Sequence, residues 1–184
     1  ASPGILIFRR TLISTLVNLG HEVVCFIPDL DNNLNKKINE LGATTVQYEL
    51  DRSSLNIFSS IKTIFILKNK LKKNSPDIIL SFFMKPSFYG TVSGWLAGVP
   101  VRIALLEGLG YIYTDTLQYR FNKKKLLRLI HRPMALITSL LASRILFLNN
   151  DDPLDFFGFF YPIISNYDVI GPIGLELDKV YDEI

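Results

Sequence analysis

Glu107 stands between the apolar run Val101–Leu106 and the glycines Gly108 and Gly110. A carboxylate at the end of such a run, beside backbone that carries no side chain, sits where a ligand can approach closely and where it can hydrogen-bond a hydroxyl. Its plainer reading is a loop carboxylate that caps backbone N–H groups. Lys85 occupies a similar place after the run Asp77–Phe83 and is followed by Pro86. An ammonium there can pair with phosphate as a flexible point charge, and the alternative is a solvated loop lysine. Gly4, after Pro3, opens a helical stretch, where bare backbone and a helix amino end can come close to phosphate; the alternative is an ordinary tight turn. Arg9 and Arg10 lie in the first turns of that stretch, and Arg9 is the one expected to reach phosphate.

The elements that must position these residues follow from periodicity. Leu12, Leu16 and Leu19 make one stripe of a helix over Phe8–Leu19, and Gly20 suits its end. Val23–Ile27 reads as a strand closed by Pro28 and Asp29, Asn32 as the cap of a short helix through Leu41, and Gly42 as its stop. Thr44–Leu50 alternates like an edge strand. Asp51-Arg52-Ser53-Ser54 reads as the cap of a long helix to about Lys73, with Ile57, Ile61 and Ile64 at helical spacing. Asp77–Phe83 and Val101–Leu106 are near-continuous apolar runs, as expected of strands covered on both faces of a parallel sheet. Each runs into a polar loop, Met84-Lys85-Pro86-Ser87 and Glu107-Gly108-Leu109-Gly110, and the carboxyl edge of such a sheet is where ligands bind. Phe121 to about Ala142 reads as a second long helix broken or kinked at Pro133. Arg144–Leu148, a short helix from Asp151, with Asn150 as a plausible cap, and a last strand at Val169–Ile170 complete the pattern. Strands alternating with helices predict a doubly wound, mostly parallel α/β sheet in a single domain over residues 1–184.

Hydrophobic residues make up 48% of the 184 but fall in short runs. The longest, Met134–Leu148, is interrupted by Thr138, Ser139, Ser143 and Arg144 and is shorter than the ~20 residues a spanning helix needs, so no transmembrane helix is expected. The single cysteine, Cys25, excludes a disulfide within the chain and reads as a buried, inert thiol of a reducing compartment. The net charge is only +3, yet basic residues cluster at Lys68–Lys73 and again at Arg120, Lys123, Lys124, Lys125, Arg128 and Arg132. Either cluster is a solvated helix face or an attraction for nucleic acid or an anionic lipid surface. His21 and His131 have no partner at metal-ligand spacing and read as structural or exposed, and no metal or cofactor site is expected. Asn149, Asn150 and Asp151 end a strand and can reach the cleft.

In order along the chain, Ser2-Pro3-Gly4 with Phe8-Arg9 and Leu12, Leu19-Gly20-His21-Glu22-Val23, Pro28-Asp29, Lys85-Pro86 with Tyr89-Gly90, Leu96-Ala97-Gly98-Val99-Pro100, Glu107-Gly108-Leu109-Gly110-Tyr111 and Gly171-Pro172-Ile173-Gly174 resemble the amino-terminal half of a family-four retaining glycosyltransferase of GT-B architecture, of the bacterial surface or capsular polysaccharide kind. The resemblance implies a Rossmann-like, acceptor-binding domain facing a second domain that binds the nucleotide sugar. It implies that the chain begins just after the first strand of that fold and that residues 171–184 begin the crossover to the donor domain. The chain also starts without Met, as expected of a piece of something longer, and such a piece is expected to lack transfer activity alone. The resemblance further implies that Glu107 positions the acceptor hydroxyl or accepts its proton, with no nucleophilic role, and that Tyr111 and Thr114 line the acceptor path beside Gly108 and Gly110. The implied partners are a nucleotide-sugar donor, a lipid-linked glycan and an anionic membrane surface met by Lys123, Lys124, Lys125 and Arg128, with no nucleic acid. The implied place is the inner face of the cytoplasmic membrane.

Two other classes fit the residues. Asp29, ending a strand, suits the ribose-binding acid of a nucleotide-binding Rossmann module, although no Gly-x-Gly-x-x-Gly follows a strand. A membrane-recruiting subunit of a split transferase fits the chain's length.

Overall fold

Helices and strands alternate in chain order, as the periodicity predicts. The structure is a computed structural model that describes residues 4–50, 57–109 and 121–173, with backbone alone at 57–58, 121–127 and 129–130. The described elements gather into two compact units, one built on α1 to β2 and the other on α3 to β6.

In the first unit α1 (Gly4–Asn18) leads to β1 (Val24–Ile27), then α2 (Asn32–Glu40) leads to β2 (Thr44–Gln47). The two strands pair in parallel, Val24 opposite Thr44 through Ile27 opposite Gln47. Leu6 and Ile13 of α1 pack with Cys25, Ile27, Leu34, Ile38 and Ala43. Two local expectations shift. Helix α1 begins at Gly4, ahead of Phe8, and the cap of α2 is Asp31, whose carboxylate accepts from the Leu34 N–H at 2.8 Å, one residue before the expected Asn32. Gly42 ends that hairpin of elements at φ +85°, where a Cβ would lie 2.8 Å from Val17 Cγ1, so both backbone and space require glycine. Burial pushes the Cys25 thiol up to about 11, in keeping with an inert thiol.

The second unit holds a four-stranded, all-parallel sheet in the order β3-β4-β5-β6, made of Ile78–Phe82, Val101–Leu106, Arg144–Phe147 and Tyr167–Val169. Helices α3 (Ile57–Asn74), α4 (Met84–Ala97), α5 (Phe121–Leu141) and α6 (Asp152–Phe157) connect or flank the strands, and a 3-10 helix, Gly158–Ile163, precedes β6. Strand β4 is central and its last three residues are buried, as its apolar run predicts. Strand β3 is less covered than expected: it lies at the edge of the described sheet, and Ile78 is 58% exposed. The core joins Ala104 and Leu106 of β4, Ala135 of α5, Ala142 just after it, and Ile145 and Phe147 of β5 to Phe156 and Phe157, which meet Phe147 edge to face.

The close seating of α4 on the sheet explains one sequence motif. A Cβ at Gly90 would lie 2.1 Å from Ser81 Oγ, and one at Gly94 would lie 2.6 Å from Ile79 Cδ1. Tyr89, 2% exposed, turns the other way and shares a 2.9 Å hydrogen bond with Ser60 of α3, while Ser93 Oγ donates to Ile64 O at 3.0 Å. The Tyr89-Gly90 pair thus serves packing. Pro133 sits inside α5, and the helix runs through it to Leu141. An interior proline costs a helix about 3 kcal/mol, and beyond it Ala135, Thr138, Ser139 and Ala142 are buried along one face.

Candidate functional site at the carboxyl edge of β3 and β4

Strand β3 pairs with β4 from Ile78 opposite Val101 to Phe82 opposite Leu105. That register brings the residues after the two strands side by side, because neighbouring strands lie ~4.8 Å apart. Phe83 N–H still donates to Leu105 O at 3.0 Å. The chain then turns abruptly: Phe83 has φ 67° and ψ 161°, a conformation nearly confined to glycine. The expected loop Met84–Ser87 is instead the first turn of α4. Pro86 fits there because a helix's first turn has no partner for its N–H. Ser87 locks the turn: its N–H donates to Phe83 O at 3.0 Å and its hydroxyl to Ser81 O at 3.2 Å. Lys85 therefore projects from a fixed helical start, half-buried, and not from a mobile loop.

After β4, Glu107 is half-buried and its Oε1 is shut away from solvent. Gly108 reverses the chain at φ +98°, and Leu109, 4% exposed, returns into the core. Glu107 thus lies between two buried residues of the chain, Leu106 and Leu109. Gly110, Tyr111 and Thr114 lie outside the described residues, as does Pro3.

The third group at this edge comes from α5. His131 is half-buried, and its Nδ1 lies 2.6 Å from Met84 Sδ. Burial first, and then the nearby Lys85 ammonium, hold the imidazole below the usual histidine range, so the ring is neutral at pH 7. Sequence reading set His131 aside. The signal available was its stripe: His131, Ala135, Thr138 and Ala142 recur at helical spacing, and the last three are buried against the sheet side of the unit.

Other candidates are placed differently. Gly4 is the first described residue of α1, and Arg9 is 6% exposed, donates to Phe8 O at 2.9 Å and has its pKa lowered by burial. Both belong to the first unit. Asn149, and not Asn150, caps α6: its Oδ1 accepts from Asp151 N–H at 3.0 Å and Asp152 N–H at 2.9 Å, so it serves the backbone. His21 and Asp29 are exposed. The side chains of Lys123, Lys124 and Lys125 lie outside the described residues, although their backbone belongs to α5, and Arg128 is half-buried. Among the described residues no helix is long and apolar enough to cross a membrane.

The fold is a parallel α/β sheet, a class in which ligands bind beyond the carboxyl ends of the strands, and Lys85 and Glu107 follow two such ends. Residues 5–141 match the model of the glycosyl transferase 4-like family, and the chain belongs to that family. It is 29% identical over 180 residues to the N,N'-diacetylbacillosaminyl-diphospho-undecaprenol alpha-1,3-N-acetylgalactosaminyltransferase of Campylobacter jejuni subsp. jejuni serotype O:2, covering 98% of this chain and 43% of the relative. The chain thus spans less than half the length of that relative. Among solved structures, the calicheamicin glycosyltransferase CalG4 is similar at 14% identity and a TM-score of 0.49, over 90% of this chain and 48% of that one, a likeness too low to bear on the reading.

Proposed function

We propose that this chain forms the acceptor-binding side of a retaining glycosyltransferase that moves a sugar from a nucleotide sugar to a lipid-linked glycan in surface polysaccharide synthesis. The reading is carried by the side-by-side ending of β3 and β4, which places Lys85 and Glu107 just beyond their carboxyl ends, in a chain of the glycosyl transferase 4-like family. Glu107 holds the acceptor hydroxyl and takes its proton as the oxygen bonds to the sugar's anomeric carbon. The sugar–phosphate bond breaks and the diphosphate leaves with the electron pair. Lys85 pairs with phosphate of the lipid carrier or donor. Pro86 and Gly108 belong to the acceptor and phosphate side of this edge.

The test is transfer by the natural polypeptide that contains this chain, supplied with nucleotide sugars and N,N'-diacetylbacillosaminyl-diphospho-undecaprenol, the acceptor named for the relative. Growth of the lipid-linked sugar by one residue, read by mass spectrometry, is expected. Hydrolysis of nucleotide sugars with no extended lipid would overturn the reading.

The same reading places the protein at the inner face of the cytoplasmic membrane, with Lys123, Lys124, Lys125 and Arg128 toward anionic headgroups. Basic residues near such a surface contribute about 1 kcal/mol each. Changing Lys123, Lys124 and Lys125 together to Glu should abolish sedimentation with anionic vesicles at low salt while leaving the melting curve unchanged. Equal sedimentation of variant and parent would remove α5 from the membrane contact.

A further inference from the structure

We infer that the outward stripe of α3, made of Ile61, Phe65, Lys68 and Lys72, is a docking surface for an anionic lipid layer, separate from the α5 contact proposed above. Helix α3 carries five lysines and no acidic residue over Ile57–Asn74. Its inward face is fixed by Thr63, Ile64, Leu67 and Leu71, all buried, and by the bonds from Ser60 to Tyr89 and from Ser93 to Ile64 O, which tie it to α4. Ile61, Phe65, Lys68 and Lys72 follow one another at intervals of four, three and four, so they line a single stripe. Ile61 is 45% exposed and Phe65 51%. The Lys68 ammonium lies 5.5 Å from the centroid of the Phe65 ring, within the reach of a cation–π contact.

Ordinary helix chemistry accounts for part of this stripe. Lys72 and Lys73, in the last turn, complement the negative end of the helix, and Lys68 gains from the ring beneath it. Neither reason puts an isoleucine and a phenylalanine one turn apart on the solvent side of a helix whose core face is already supplied. A merely solvated face carries polar residues there. The partner that fits must take apolar side chains and ammonium groups along one line, and must be negative, because the helix offers no carboxylate to a basic partner. A lipid surface has both parts at the right depth: the acyl boundary takes Ile61 and Phe65, while Lys68 and Lys72 extend their stems to headgroup phosphates. Nucleic acid matches the lysines, and its bases stack on rings such as Phe65, but it gives Ile61 nothing to bury against.

The test uses the natural polypeptide that contains this chain, with vesicles of phosphatidylglycerol and phosphatidylcholine set against phosphatidylcholine alone. At low salt the parent should sediment with the anionic vesicles and far less with the neutral ones, since each lysine near such a surface adds about fivefold in affinity. I61S/F65S should bind the anionic vesicles about tenfold more weakly, with the melting curve unchanged because both side chains are exposed, and I61L/F65L should bind like the parent. K68Q/K72Q should lose about tenfold at low salt and little at high salt. In F65W the emission added over that of the parent should be quenched by lipids brominated on the acyl chains.

Equal binding of I61S/F65S and parent, no quenching of the added emission, or no binding of the parent to anionic vesicles overturns the inference. Tighter binding of the parent to duplex RNA than to anionic vesicles does the same. The α5 contact is separated by its own variant: if changing Lys123, Lys124 and Lys125 to Glu removes all vesicle binding while I61S/F65S binds like the parent, the inference about α3 falls. Transfer to the acceptor presented in detergent micelles needs no vesicle, so it decides the glycosyltransferase reading independently of every one of these outcomes.

Discussion

The two ends of the β4 strand treat polar side chains in opposite ways. At the amino end, Arg102 donates from Nε to Leu141 O at 2.7 Å, and its guanidinium also reaches the carbonyls of Val99 and Pro100. Ser143 accepts from Arg102 N–H at 3.1 Å, and Asn166 donates to Ser139 O and Ala142 O, both at 2.9 Å. The bonds to Ser139, Leu141 and Ala142 close the end of α5, whose last carbonyls have no partner within the helix, and those to Val99 and Pro100 tie down the turn after α4. At the carboxyl end, Lys85 and Glu107 follow the strand ends, beside a backbone turn that no β-sheet requires. Polarity at the amino edge completes the fold, and the carboxyl edge is the one the proposed function draws on.

That contrast is open to direct attack. Replacing Glu107 by Gln should lower kcat by about 10²–10⁴-fold, the range for a lost acid–base group, with an unchanged melting temperature; turnover close to the parent's would make Glu107 a structural capping residue like those of the opposite edge. Replacing Arg102 by Ala should have the converse signature. Three carbonyls lose a charge-assisted donor, and the unfolding free energy in urea should fall by about 2–3 kcal/mol, while kcat of the folded protein stays the same. A large loss of kcat in R102A would erase the distinction between the two edges.

A smaller effect tests the strain at the carboxyl edge. A non-glycine residue in the Phe83 conformation stores about 1–3 kcal/mol, and the Phe83 side chain is 53% exposed, so little packing is at stake. After the entropy of glycine in the unfolded chain is subtracted, F83G should be more stable than the parent by about 1 kcal/mol and F83A should not. No gain in F83G would mean that the turn is unstrained.

The smallest expected effect is on the acid limb of stability. The His131 pKa is lowered in the fold, by burial and then by Lys85, so below the unfolded value near 6.5 the unfolded chain binds the proton more readily than the folded one. The stabilisation is present above that value and is lost as the pH falls through it. Urea titrations between pH 7 and 5 should therefore show a shallower decline for H131N than for the parent, and parallel declines would detach His131 from the buried side of this edge.

Much of the architecture was legible along the chain because it depends on neighbours in sequence. The alternation of apolar runs and helical stripes gives the order of elements, Gly42 ends α2, and the run Val101–Leu106 followed by glycine locates Glu107 at a strand's carboxyl end. The misplacements are local in origin as well. Asp31 outcompetes Asn32 as a cap because its carboxylate meets the Leu34 N–H, and Met84–Ser87 resembles a loop because proline hides a helix whose first turn needs no N–H at that position.

What the sequence by itself determined, then, is which segments become strands and helices, and which carboxylate and lysine fall at the carboxyl edge of a parallel sheet. Tertiary structure alone decided that Arg102 closes the end of α5, that Tyr89 joins α4 to α3 while Gly90 lets α4 sit on Ser81, and that His131 meets Met84 beside Lys85. Periodicity records which face of an element is apolar, but not the depth at which two elements seat or the register in which they meet. Those depend on the volumes of small residues such as Gly90, Gly94 and Ala135 summed over the interface, and they set which polar atoms come within hydrogen-bonding reach.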